Sequence, residues 1–203
     1  MADERDAISE VVMVLDELGV PYIIGGSIAL SVWAVPRMTH DLDVVVDMHD
    51  NSIHEFCSQL SSNRYYLDED AMRDAFSKRD QTGQGMYSFL DMETNFKIDL
   101  FPLRPDDAAQ VTAFERRTRA NVLKGVEAYV YSPADLLIQK LRWYAASESE
   151  RQFADCVNLM QTDLRRDKPL IDRDYLQAWT ARLGPSVEKA RARLVAVLDQ
   201  LPS

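Results

Sequence analysis

Two cysteines, Cys57 and Cys156, are too few for a disulfide framework or a cysteine zinc site. Each falls within an amphipathic pattern, which predicts ordinary buried thiols. The chain has no run of about 18 uncharged apolar residues. Its opening Met1-Ala2-Asp3-Glu4-Arg5-Asp6 is acidic rather than a basic prelude to an apolar signal core, so the expectation is a cytoplasmic protein without a membrane span. Positive charge is also scarce. A net charge of -10 argues against nonspecific nucleic-acid binding through a bulk field. The deficit is one-sided: residues 1–100 carry 7 Lys and Arg against 19 Asp and Glu, whereas the remainder carry 16 against 14. With only seven glycines in 203 residues, the adjacent pair Gly25-Gly26 stands out.

What is present reads as one α/β unit followed by a helical one. Ile8, Val11, Val12, Leu15 and Leu18 recur at helical spacing, predicting a first helix over about residues 4–18. Tyr22-Ile23-Ile24 is a short buried strand. Gly25-Gly26 then turns the chain into a helix running to about Val35, with Ser27 as its N-cap and Pro36 as its stop. Asp41 to Val46 is β-branched and reads as a strand, and a helix starts at Asp50. Residues 86–91 and 95–101 form a strand pair, preceded by a polar loop from Ser77 to Gly85 containing Gly83, and Val122 to Tyr131 adds a strand. Helices follow over about 133–146, 148–162, 172–182 and 186–200. The predicted fold class is α+β, a mixed sheet flanked by helices over 1–131 with a C-terminal helical domain over 132–203. The Arg116-Arg117-x-Arg119 cluster reads as a solvated helix face. Trp33, Trp143 and Trp179 read as core or interface residues.

The chemistry is carried by carboxylates. Residues i and i+2 of a strand share a face, so Asp41 and Asp43 project together while Leu42, Val44 and Val46 point away. Such a pair suits Mg²⁺, whose hard oxygen shell is commonly completed by phosphate oxygens and water. By the same alternation His40 faces away and is not a ligand. In the Phe96 to Phe101 strand, Asp99 shares a face with Lys97. It is a third metal ligand, a general base, or simply the partner of Lys97. Gly25-Gly26-Ser27 at a strand-to-helix junction allows close approach of phosphate, although it matches neither the P-loop nor the dinucleotide spacing. Arg37 and Thr39 precede the acidic strand and are placed to touch triphosphate, or Arg37 caps the preceding helix. Lys140 lies on an apolar stripe with Leu136, Leu137 and Tyr144, where its ammonium pairs or snorkels to water. Asp155 is spaced to pair with Arg151.

Taken in order, Gly25-Gly26-Ser27, Arg37-x-Thr39-x-Asp41-Leu42-Asp43, Asp99, Ser132-Pro133-x-Asp135-Leu136-Leu137-x-x-Lys140-Leu141 and Asp155 resemble the polymerase-β-like nucleotidyltransferases. The closer resemblance is to the bacterial branch of AbiEii-type abortive-infection and MenT-type toxins. That resemblance implies catalytic Asp41, Asp43, Asp99, Lys140 and Asp155, with the three strand aspartates holding Mg²⁺ or Mn²⁺. It also implies that Gly25, Gly26, Ser27, Arg37, Thr39 and Lys140 bind a nucleoside triphosphate such as ATP. The implied reaction moves a nucleoside monophosphate to an acceptor hydroxyl on tRNA, protein or a small molecule, within a toxin–antitoxin or abortive-infection system that includes a cognate antitoxin. A catalytically silent nucleotide-binding or antitoxin-like protein is the alternative, and the presence of all three aspartates weighs against it.

Overall fold

The computed structural model describes residues 4–60, 64–82 and 85–200. The chain divides into two compact units: Met1–Ile28 with Met38–Val130, and Ala29–Arg37 with Tyr131–Ser203.

The first unit is built on a six-stranded mixed sheet. Its strands are β1 (Tyr22–Ile24), β2 (Asp41–Val46), β3 (Tyr87–Asp91), β4 (Phe96–Pro102), β5 (Thr118–Leu123) and β6 (Val126–Val130), in the order β3-β4-β2-β1-β6-β5. β1 is antiparallel to β2 and parallel to β6, while β2 and β4 run parallel. A short all-apolar strand suits this central position, because both its faces are covered: Tyr22, Ile23 and Ile24 are all buried. α1 (Glu4–Glu17) buries Ala7, Ile8, Val11, Val12 and Leu15, the stripe that its sequence periodicity marks. α3 (Asp50–Leu60) likewise buries Ile53, Phe56, Cys57 and Leu60.

In this unit the sequence expectations for Ser77 to Gly85, for the arginine cluster and for residues 122–131 are corrected. The loop expected from Ser77 is helical instead: α4 runs Glu69–Thr82, anchored by buried Met72 and Phe76 one turn apart, while Gly83 lies outside the described residues. The arginine cluster is not a helix face. Arg116 ends α5 (Ala108–Glu115), which is capped by Asp107, and Arg117 then stacks between the rings of Phe114 and Tyr129. Arg119, on β5, lies over Tyr129 and pairs with Asp16. The single strand expected over 122–131 is a hairpin, β5 with β6, that closes the sheet edge. The β3–β4 hairpin is secured by Asp91, which is fully buried. Burial works against its ionisation, yet hydrogen bonds from Arg64, Thr94 and the Glu93 amide outweigh that and hold its carboxyl down to about 2.

The second unit is helical. α6 (Pro133–Ser147) begins with proline at its first turn and a Ser132 cap, and Glu148 in the left-handed region stops it. α7 (Glu150–Leu164), α8 (Arg173–Arg182) and α9 (Pro185–Leu198) complete a cluster around Leu136, Leu137, Leu141, Cys156, Leu159 and Leu194. Segment 29–37 is tied to the same cluster. The Trp33 indole N–H donates to the Tyr131 carbonyl (2.8 Å), Arg166 donates to the Trp33 carbonyl (2.8 Å), and the Asn158 amide donates to the Val35 carbonyl (2.9 Å). Trp143, expected in a core or interface, is half exposed on α6. Among the described residues no helix is long and apolar enough to cross a membrane.

Candidate active site

β2 and β4 set the first group of candidate side chains. Their parallel register pairs Asp43 with Asp99 and Asp41 with Lys97, so all four side chains belong to one face of the sheet. Asp41 and Asp43 are only partly buried, whereas the alternating Leu42 and Val44 are buried completely or nearly so. The apolar residues hold the strand in the core and leave the carboxylates at the accessible face. Thr39 donates its hydroxyl to Asp41 Oδ1. Asp99 Oδ1 accepts from the Ser88 hydroxyl of β3 (2.5 Å), and Asp99 Oδ2 pairs with the Lys97 ammonium (2.6 Å).

The glycine turn presses on the same face. The Gly25 amide donates to the Asp43 carbonyl (2.9 Å), and Gly26 has φ +54°. A Cβ at Gly26 would stand 1.9 Å from Asp43 Oδ2, so the missing side chain is the space that the carboxylate occupies. α2 (Gly26–Trp33) starts at this residue. Ser27 therefore lies inside the first helical turn rather than at the N-cap, because the sharp turn is made by Gly26 one residue earlier, and Ser27 is buried.

Among the described residues no three His, Cys, Asp or Glu side chains are gathered into a ready metal cluster. Asp41 is turned to Thr39, and Asp99 to Ser88 and Lys97. The donor set nonetheless fits a hard divalent cation: three carboxylates on one face, a glycine that leaves Asp43 Oδ2 its room, and an ammonium already drawn to that charge. The hydrogen bond to Asp99 raises the Lys97 pKa, and the fields of Asp99, Asp41 and Asp43 add to it against partial burial. His40 is exposed and turned to Glu4, away from the carboxylates.

Arg37, Lys140 and Asp155 meet in the second unit. Asp155, on α7, is buried and accepts a bidentate pair from Arg37 Nε (2.8 Å) and Nη2 (2.9 Å). It also accepts from Lys140 Nζ of α6 (2.7 Å). Burial works against the carboxylate charge, but the two cations outweigh it and hold the Asp155 pKa below the usual range. The sequence spacing of Asp155 with Arg151 is thus not its pairing, since α7 turns the carboxylate inward to partners from two other segments. Lys140 does not snorkel: its side chain is only 4 % exposed. Asp135, also in the matched motif, is buried and accepts from Ser132 and Tyr175 (2.5 Å each), which fixes the start of α6. Ser88, a hydroxyl beside Asp99, carried no sequence signal of its own; only the strand register brings it there.

A family model described as nucleotidyl transferase AbiEii toxin, type IV TA system, matches residues 11–200. No curated protein matches the chain. Among solved structures, an antigenic nucleotidyltransferase-like protein from Paracoccidioides brasiliensis is 20% identical with a TM-score of 0.55, covering 97% of this chain and 92% of that one. The crystal structure of ANT(2'')-Ia in complex with adenylyl-2''-tobramycin is 14% identical with a TM-score of 0.50, covering 93% of this chain and 97% of that one. At such identities the likeness is one of fold.

Proposed function

The chain belongs to the AbiEii family of nucleotidyl transferase toxins of type IV toxin–antitoxin systems, and on that premise we propose that it transfers a nucleoside monophosphate from a nucleoside triphosphate, ATP among them, to a hydroxyl of a cellular acceptor. The observation that carries the reading is the pairing of Asp43 with Asp99 in register, with Gly26 packed against Asp43 and Asp41 two residues away on the same face. In the reaction the acceptor oxygen bonds to the α-phosphorus, the bond from that phosphorus to the β-bridging oxygen breaks, and pyrophosphate leaves. The acceptor proton passes to a carboxylate of the same face.

Asp41, Asp43 and Asp99 are the residues that would hold Mg²⁺ or Mn²⁺. When bound, such a cation supplies charge neutralisation of phosphoryl oxygens and a lowered pKa for the attacking hydroxyl. Gly25, Gly26 and Ser27 bring the first amides of α2 to the triphosphate, where backbone N–H groups and the helix dipole favour anionic oxygen. Thr39 holds Asp41 in place through its hydroxyl. Arg37 and Lys140 both pair with Asp155, so these three are assigned as a linked set of positioning groups. The intact set of three aspartates supports turnover rather than silent nucleotide binding.

A toxin acts on its own cell, which favours a cellular macromolecule as acceptor over a drug-like compound. The basic residues after position 100 support an RNA hydroxyl, tRNA included, and the toxin–antitoxin membership supports a cognate antitoxin as partner. A nucleoside triphosphate substrate fits the cytoplasm. Incubation of the protein with each α-labelled nucleoside triphosphate, Mg²⁺ and total cellular RNA and protein tests this. Label in a ribonuclease-sensitive product is expected; label only in protease-sensitive or small products overturns the RNA acceptor, and no labelled product overturns transfer.

A further inference from the structure

Resting on the metal reading above, we infer that Lys97 is the resident counter-cation of the three-aspartate face, and that it must give up Asp99 before a divalent cation binds there. Asp99 Oδ1 accepts from the Ser88 hydroxyl at 2.5 Å, and Oδ2, which Lys97 holds at 2.6 Å, is the oxygen at which the ammonium and a metal would compete. Lys97 stands opposite Asp41 in the register, two residues from Asp99 on the same face, so its ammonium neutralises the site from within the sheet.

The burial of the pair is unequal. The Asp99 side chain is 5 % exposed, whereas that of Lys97 is 44 % exposed on a flexible four-carbon stem. The carboxylate is fixed and the ammonium is the partner that can leave for water, with the arriving cation taking its place beside the buried Asp99 charge. Three carboxylates together on one face repel one another when nothing positive stands between them. Lys97 offsets that repulsion in the metal-free protein and competes with a metal for the same oxygen. A bound triphosphate supplies new anionic oxygens for the displaced ammonium. Metal and nucleotide therefore bind cooperatively, each relieving the other of the Lys97–Asp99 pair, and reciprocity requires the effect to be equal in both directions.

Mn²⁺ binding to the intact protein, measured by calorimetry and by electron paramagnetic resonance with and without a non-hydrolysable nucleoside triphosphate analogue, tests the inference without any readout of turnover. Wild type is expected to bind Mn²⁺ weakly alone and at least about ten-fold more tightly with the analogue. Lys97→Met, and Lys97→Gln as a second neutral variant, are expected to bind Mn²⁺ alone about ten-fold more tightly than wild type, with the analogue adding little. Lys97→Arg, which keeps the charge, is expected to behave as wild type. Circular dichroism confirms that each variant is folded. If both neutral variants bind Mn²⁺ no more tightly than wild type while Asp43→Asn abolishes binding, the counter-cation role is wrong and the metal reading stands. If Asp43→Asn leaves Mn²⁺ binding unchanged, the metal reading fails and the inference with it.

Discussion

At Gly26 the backbone has φ +54°, and a Cβ would meet Asp43 Oδ2 at 1.9 Å. Gly26→Ala therefore combines two penalties: a left-handed backbone that costs an alanine about 1–2 kcal/mol, and a collision that moves a proposed metal ligand. The expected outcome is a modest loss of thermal stability with a fall in transfer rate of about 10²-fold or more, because small misplacement of a reacting group is amplified in the rate. Melting curves alongside single-turnover kinetics separate the two effects, and an alanine variant with wild-type turnover would remove Gly26 from the site. The glycine pair was legible in the sequence because glycines are scarce, and Asp41 with Asp43 because i and i+2 share a strand face. The partner of Asp155 was not. Arg37 lies 118 residues away, and no local spacing anticipates an ion pair made by the packing of α7 against segment 29–37.

Among the elements, α6 and α7 are joined by the Lys140–Asp155 pair, with both side chains 4 % exposed. Neither charge sits comfortably in that environment without the other, so removing one leaves more penalty than the pair itself contributes. Lys140→Met is expected to destabilise the protein by about 3 kcal/mol, toward the lower end for a broken buried pair because Arg37 still holds Asp155. Chemical denaturation measures it, and an unchanged midpoint would show that the pair is not needed for packing. The helices of this unit were legible from proline and serine boundaries and from apolar stripes. α4 was not, since its sequence is largely polar and, among its described side chains, only Met72 and Phe76 are buried; the run of polar residues and glycines from Ser77 to Gly85 reads locally as a loop. Arg116, Arg117 and Arg119 misled for a related reason. Charge alone does not reveal that Arg117 stacks on Phe114 of α5 and Tyr129 of β6, which become neighbours only in the fold.

For the whole molecule, the alternation of elements is enough to indicate a mixed sheet followed by helices, but the strand order β3-β4-β2-β1-β6-β5 comes from long-range pairing that no window of sequence contains. That order sets β2 beside β4, and so places Asp43 next to Asp99 from 56 residues away in sequence. The net charge of -10 is consistent with the proposal that the nucleotide would be taken up as a cation complex at the carboxylate face rather than through a basic field. The central claim is nucleotidyl transfer at Asp41 and Asp43. Its most direct test is a paired-label assay, in which the wild type and the double variant Asp41→Asn, Asp43→Asn receive the same nucleoside triphosphate labelled at either the α or the γ phosphorus. The expected result is α label on the acceptor and γ label in pyrophosphate for the wild type, with both lost in a folded double variant. Undiminished α-label transfer by the double variant, or γ label on the acceptor, would contradict it.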